Sequence, residues 1–317
     1  MKQALLPYLR TAKLLKLRAG ARFRCVMPHA ERDRLPVRFI VGCGRSGTTV
    51  LGQVVSMNPR VNYLREPYHL WQTIDTRMDV TGLHSSPDET QLFFERKDST
   101  PEARAKFDKL IARSGRAHEH ECVIEKTPHN AARLGWISTA VPQPSVLHLV
   151  RNGLSVVRSI GRIASKPYYR LGFKPSYNQW WGTRLSKWKK LSREASARGY
   201  FPDEVSQLQT NEQRGAYEWL VSIGEIDRWR ESLGDQLLEV TYTDLTMKTE
   251  ETCEQIAAHF DIPCNKRWVS RANEILNQEH LNPGSTLRLP RHMCDRFNEY
   301  QRRYGFTGRA EPIGVMG

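Results

Sequence analysis

The sequence predicts an α/β protein: a parallel β-sheet flanked by helices in a three-layer, P-loop NTPase-like architecture, with helical additions toward the C-terminus. Three observations predict it. The apolar run Phe39-Ile40-Val41 ends in a glycine loop that opens a helical segment, "VGCGRSGTTVLGQV" (41–54). A second apolar run, "SVLHLV" (145–150), passes directly into the helical "RNGLSVVRSI" (151–160). Beyond residue 178 helical patterns dominate. Strands alternating with helices build right-handed βαβ units and hence a parallel sheet.

In chain order, Pro36 opens a strand near 38–42, and the glycine loop leads into a helix over about 47–57 that Asn58-Pro59 stops. Val61–Leu64 reads as a short strand whose end delivers "REPYHLW" (65–71). Residues 76–100 are polar, with Gly82, Ser85-Ser86-Pro87 and few apolar anchors, and read as a surface excursion. A helix is expected over 101–113, a buried strand at "CVIEK" (122–126), and a helix over 129–139 after Pro128. Trp219, Ile223 and Ile226 recur at i, i+4 and i+7, one apolar helix face. "LLEVTY" (237–242) supplies another strand and 244–260 a helix with Asp244 as N-cap. The tail from 281 holds "NPGSTLRLPRH", small, polar and basic. With no internal repeat or low-complexity tract, the chain divides into a basic, helical leader (1–35) and one domain (36–317).

Of 317 residues, 39% are hydrophobic and 26% charged, ordinary for a globular chain, but the formal net charge is +14. Such an excess suits an anionic partner. It concentrates in the leader (Lys13, Lys16, Arg18, Arg22, Arg24) and in 151–198, where Glu194 is the lone acid. Six scattered cysteines without C-x-x-C spacing read as reduced thiols. No apolar run approaches the ~20 residues that span a bilayer. The expected compartment is therefore the cytoplasm, with the basic leader a possible peripheral contact to the inner membrane face. No helix-turn-helix or RNA-binding signature accompanies the charge, so nucleic acid is not an expected partner.

Gly42 and Gly47 have the spacing of a P-loop, G-x-x-x-x-G-K-[ST], with Thr48 in the lysine's place and Arg45 inside the loop. Such a turn directs backbone N–H groups into one cavity at a helix N-terminus, and Thr48 and Thr49 add hydroxyl donors. An ATP-using enzyme of this kind needs the lysine on the β- and γ-phosphates and an aspartate that helps to hold magnesium. Here the second strand ends in Arg151. Arginine there repels a metal and attracts a dianion, and a sulfuryl group, less charged than a phosphoryl group, needs less metal neutralisation. A degenerate P-loop kinase using ATP is the competing class.

"GCGRSGTT" with "LVRNGLSVVRSI" resembles the two nucleotide signatures of sulfotransferases that use 3′-phosphoadenosine 5′-phosphosulfate. The resemblance covers most of 38–265. "NYLREPYHLW" is similar to the segment of carbohydrate and tyrosylprotein sulfotransferases that carries a catalytic glutamate, close to their E-P-x-x-H-x-W form. "EKTPHN" resembles the family's lysine-proline segment, and "LLEVTYTDL" its R-Y-E-D-L region. Arg45 stands where the cytosolic small-molecule branch has lysine, as in the carbohydrate and tyrosylprotein branches.

The resemblance implies sulfuryl transfer to a hydroxyl or amine of a carbohydrate or glycan-like acceptor, with no metal. The alternative acceptor is a protein tyrosine. Gly44, Arg45, Ser46, Gly47, Thr48 and Thr49 are expected to hold the 5′ end of the donor, and Arg151 and Ser159 the 3′-phosphate. Tyr242 and, from the tail, Ser285 with Thr286 and Arg288 are further expected contacts. Glu66 is the expected base, with His69 its rival, and Arg45 and Lys126 the expected cations for the leaving phosphate. Acceptors in view are a glycan, a lipid-linked sugar or a peptide, anionic to match the basic 151–198 segment. Trp180, Trp181 and Trp188 are expected in the core or in acceptor-pocket walls. "HEHE" (118–121) fits no closed metal site and reads as an exposed turn.

Overall fold

The structure is a computed structural model that describes residues 2–27, 33–80, 85, 89–166, 180–276 and 286–314. Five parallel strands form its centre: β1 (Val37–Val41), β2 (Val61–Arg65), β3 (Cys122–Lys126), β4 (Ser145–Val150) and β5 (Leu237–Thr241), in the order β2-β3-β1-β4-β5. Both faces of the middle strands are covered, so these run apolar without alternation. Phe39, Ile40 and Val41 of β1 are all fully buried, as are Val146, Leu147 and Leu149 of β4.

From β1 the chain steps out to β2, returns to β3 beside β1, then crosses to β4 and β5 on the other side. That reversal makes the C-terminal ends of β1 and β4 a topological switch point, where a crevice opens in this class of sheet. Register aligns the strand ends: Ile40 and Arg65 both pair with Lys126, and Val150 pairs with Thr241.

Twelve α-helices are described: α1 (Lys2–Val26), α2 (Thr48–Ser56), α3 (Tyr68–Ile74), α4 (Pro101–Phe107), α5 (Leu134–Ala140), α6 (Gly153–Ala164), α7 (Ser186–Ser196), α8 (Asn211–Leu233), α9 (Tyr242–Met247), α10 (Thr249–Phe260), α11 (Lys266–Ile275) and α12 (Arg291–Arg303). One sheet face packs Phe39, Trp71, Phe107 and Trp136, and the other packs Ile40, Leu51, Val54, Phe260 and Trp268. A third cluster joins α6 and α8 to the C-terminal helices through Trp219, Phe297 and Tyr300. Trp219, Ile223 and Ile226 are buried together along α8, as their spacing predicts. A two-residue ladder, β6 (Arg288–Leu289) with β7 (Glu311–Pro312), closes the tail.

Three expectations need correction. Residues 76–100 are no mere surface excursion: Met78, Leu92, Phe93 and Phe94 are buried, and Phe94 bonds backbone to backbone with Ala132 and Trp136. Few anchors suffice when three of them are adjacent and large. The helix expected over 244–260 is two helices broken at Lys248 (φ −128°, ψ 50°). Its N-cap is Thr241, whose hydroxyl accepts from the Asp244 amide at 3.0 Å; Asp244 lies inside the first turn. The helix expected over 101–113 ends its α-form at Phe107 and widens into a π-turn over Asp108–Ala112. Among the described residues no helix is long and apolar enough to cross a membrane.

Candidate active site

The glycine loop occupies the switch point. Gly47 stands at φ +93° immediately before α2, and Gly42 at φ +148°. Neither position admits a side chain: a Cβ on Gly47 lies 2.5 Å from Tyr242 Cδ2, and one on Gly42 lies 2.5 Å from the Leu149 carbonyl oxygen. The loop is closed by the Ser46 amide donating to the Cys43 carbonyl at 3.1 Å. Beyond it, the first-turn amides of α2 have no intrahelical acceptors. Ser46 and Thr48 are buried, and the Ser46 hydroxyl meets no protein partner. A buried orphan hydroxyl in an amide cradle fits a phosphate-type oxygen as its missing partner.

Two groups of side chains flank this cradle. On the β3 side, Lys126 is fully buried, yet its ammonium donates to Thr49 Oγ1 at 3.2 Å and pairs with Glu66 Oε1. Burial pushes the Lys126 pKa down, and the Glu66 carboxylate partly restores it. Glu66 has φ +46°, a strained backbone for a residue with a side chain. Its amide donates to the Lys126 carbonyl at 2.8 Å, extending the β2–β3 ladder by one residue before the chain turns into α3. The turn brings the Glu66 carboxylate, about one-third exposed, onto Lys126, with the Tyr68 hydroxyl 3.5 Å from Oε2. His69 is half-buried on α3.

On the β4 side, Arg151 donates from Nη1 to the Arg45 carbonyl at 3.3 Å, and Arg45 Nε donates to Ser159 Oγ at 3.1 Å. Tyr242, where β5 enters α9, sits between the two motifs. Its ring edge touches Gly47, and the Arg151 guanidinium lies over its face, 4.6 Å from the centroid. Arg151 thus stands at the cradle itself. The Arg151 carbonyl accepts from Trp219 Nε1 at 3.1 Å, and Asn152 caps α6 by accepting from the Leu154 amide at 3.0 Å.

The structure therefore brings together the expected Gly44, Ser46, Gly47, Thr48, Thr49, Lys126, Glu66, Arg151, Ser159 and Tyr242. Arg45 is placed differently from expectation: its guanidinium bonds Ser159 beside Arg151, not Thr49 or the Glu66–Lys126 pair. Ser285 lies outside the described residues. Thr286 and Arg288 line a cleft with Leu154, Arg158 and Gln213 on the far side of α6.

Trp180 was expected in the core or a pocket wall; Lys187 and Glu125 were not anticipated. Trp180 covers the loop, with a Cβ on Gly44 reaching within 2.5 Å of its ring, and its Nε1 donates to Glu218 at 2.8 Å. Lys187 spans the same Glu218 (2.8 Å) and the Trp180 face (4.0 Å). Beneath the Lys126 strand, the fully buried Glu125 accepts from Trp71 Nε1 (2.9 Å), Thr127 (2.5 Å) and Asn130 (2.6 Å). Burial raises the Glu125 carboxyl to about 7 despite these donors. A glutamate in the all-buried run "CVIEK" was the available signal. Trp181 and Trp188 are core residues, whereas Trp180 is only partly buried.

Fold and site define a P-loop-like α/β protein whose glycine loop is flanked by a lysine from a neighbouring strand and by an arginine pair, with Thr48 in the position of the P-loop lysine. The sulfotransferase family matches residues 36–209, more than half of the chain, and this chain belongs to that family. A sulfotransferase domain from the olefin synthase of Synechococcus PCC 7002 superposes with a TM-score of 0.52 at 15% identity, covering 89% of this chain and 98% of that one. Sulfotransferase STF9 from Mycobacterium avium gives 0.51 at 11% identity over 94% and 86%. A protein of Aquifex aeolicus described as uncharacterized is 27% identical over 131 residues, which is 38% of this chain and 16% of that protein's length.

Proposed function

We propose that the chain transfers a sulfuryl group from 3′-phosphoadenosine 5′-phosphosulfate to a hydroxyl or amine of a carbohydrate or glycan-like acceptor. The observation that carries this reading is the continuous contact from the glycine cradle through Thr49 and Lys126 to Glu66, with Arg151, Arg45 and Ser159 grouped on the opposite side of Tyr242. The cradle amides and the Ser46 and Thr48 hydroxyls take the 5′-phosphosulfate end. Arg151, Ser159 and Arg45 take the 3′-phosphate.

In the transfer, the acceptor oxygen or nitrogen bonds to sulfur while the bond from sulfur to the 5′-phosphate oxygen breaks, that oxygen keeping the electron pair. Glu66 receives the acceptor proton, and Lys126 offsets the charge that develops on the leaving oxygen. Before the acceptor arrives, the Lys126 ammonium pairs with the Glu66 carboxylate and orients it. The carbohydrate class rests on the likeness of "REPYHLW" to carbohydrate sulfotransferases and on the basic 151–198 segment; an acidic tyrosine peptide is the competing acceptor. All six cysteines are free thiols, which supports a reducing, cytoplasmic setting.

Titration calorimetry with adenosine 3′,5′-bisphosphate against 5′-AMP tests the donor site. The bisphosphate is expected to bind much more tightly, without added metal, and Arg151→Ala to erase the difference. Equal affinities for the wild type would remove the 3′-phosphate assignment. Glu66→Ala is expected to bind the bisphosphate normally and to lose labelled-sulfate transfer across a panel of glycans, lipid-linked sugars and peptides.

A further inference from the structure

The leader helix α1 has its apolar side chains on the wrong face for a helix that merely completes a core. It docks on α3 and on the π-turn at 108–112 through short residues: Ala21 is buried, Thr11 and Cys25 are half-buried, and Arg24 donates to the Lys109 carbonyl at 3.2 Å. Leu14 is half-buried on that same side, but most of the large apolar residues point the other way. Leu9 is 64% exposed, Leu15 55%, Phe23 60% and Val26 81%. At 100° per residue these four fall on one side of the helix, opposite Ala21 and Cys25, with Ala12 and Ala19 between them. Lys13, Lys16 and Arg22, all exposed, flank the same face. From Lys2 to Met27 the chain carries seven Lys or Arg and no acid.

We infer that this outward face of α1 is a docking surface for an anionic lipid bilayer, on which the helix lies in the interface plane. Exposed apolar anchors ringed by cations, without acids, are what an acidic lipid surface recognises: the anchors enter the acyl boundary while lysine and arginine stay with the headgroups. A second copy of the chain is the poorer occupant, because an isologous contact opposes two acid-free cationic faces on molecules of net charge +14. Nucleic acid matches the cations but offers nothing to Leu9, Leu15, Phe23 and Val26. Among the described residues no helix meets the length and apolarity of a membrane span, so the contact is peripheral.

The test is flotation of the full-length protein with vesicles of phosphatidylcholine alone and with about 30% phosphatidylglycerol added. The wild type is expected to float with the anionic vesicles and to stay behind with the neutral ones. Two triple variants separate the two contributions: Leu9→Ser/Phe23→Ser/Val26→Ser and Lys13→Gln/Lys16→Gln/Arg22→Gln. Each is expected to weaken partitioning about tenfold or more. Every substituted position is exposed, so both variants should melt and bind adenosine 3′,5′-bisphosphate as the wild type does; reduced flotation accompanied by a collapsed melt would be checked with the single Phe23→Ser change. The inference is overturned if the wild type ignores anionic vesicles, if both triple variants float undiminished, or if light scattering finds a dimer that the apolar triple variant dissociates.

Discussion

Gly47→Ala tests whether the cradle and the Arg151 cluster are one device. At φ +93° an alanine carries a backbone penalty of about 1–2 kcal/mol. Its Cβ also falls 2.5 Å from Tyr242 Cδ2 and 2.6 Å from Cε2, where carbon contacts normally begin at about 3.5 Å. The ring must retreat by about 1 Å, adding a steric cost on the order of 1–2 kcal/mol. The same ring lies under the Arg151 guanidinium, a contact of the kind that contributes about 0.5–2 kcal/mol. Calorimetry is therefore expected to find 5′-AMP weakened by the distorted cradle, and adenosine 3′,5′-bisphosphate weakened further, by about tenfold more, because under the proposed assignment only that ligand also uses Arg151. Tyr242→Ala removes the colliding ring. In that background Gly47→Ala should cost at least about 1 kcal/mol less, a coupling far above the roughly 0.3–0.5 kcal/mol expected of independent sites. Additive losses, or equal weakening of both nucleotides, would refute the claim that Tyr242 links the two motifs.

Three other substitutions probe the surrounding layers. Lys126→Met is expected to lower turnover about 10²–10³-fold, the scale of a lost charge-stabilising donor, with bisphosphate affinity changed only a few-fold; turnover and affinity measured separately decide it, and parallel losses would make Lys126 a binding residue. Glu125, raised to about 7 by burial, binds its proton more tightly folded than unfolded, so it contributes stability that is complete below about pH 4.5 and fades as pH rises through 7. The stability of the wild type relative to Glu125→Gln, followed by urea denaturation from pH 5 to 8, should fall by on the order of 2–3 kcal/mol, and a constant difference would show that the carboxyl does not titrate there. Asn152→Ala removes the cap of α6 and the bond from Nδ2 to the Thr307 carbonyl (2.8 Å), and is expected to cost about 1–3 kcal/mol in the same assay.

What the sequence made legible is what local chemistry writes locally. Gly42 and Gly47 declare a turn because no other residue takes those dihedral angles without strain, and the apolar runs at 39–41 and 145–150 declare interior strands because both faces are covered. Register then follows from the topology: once β3 and β4 flank β1, the residues at their C-terminal ends, Lys126 and Arg151, must flank the loop. Side-chain direction does not follow. Arg45 sits in the loop that was expected to send it toward the leaving phosphate, yet at φ +75° it bonds Ser159 on α6, a choice set by a helix more than a hundred residues away.

The same limit hid Glu125. Its neighbour Lys126 carries the recognisable motif, and in a strand successive residues point to opposite faces, so a reading that follows Lys126 into the site necessarily leads Glu125 away from it, into the layer with Trp71, Asn130 and Arg133. The tryptophan of "REPYHLW" shows what that layer does: Trp71 is fully buried and spends its indole N–H on Glu125. One residue pair thus fixes the strand that carries Lys126 to the helix that follows Glu66. The spacing between the glutamate and the tryptophan of that segment is then a matter of mechanics. Glu66 must turn at positive φ to meet Lys126, and α3 must run long enough past that turn for Trp71 to reach back under β3. An insertion between Pro67 and Leu70 would rotate Trp71 by about 100° per added residue and leave the Glu125 carboxylate short of a donor. It should therefore lower both stability and turnover, whereas an insertion past Ile74, beyond the Trp71 contact, should leave turnover largely intact.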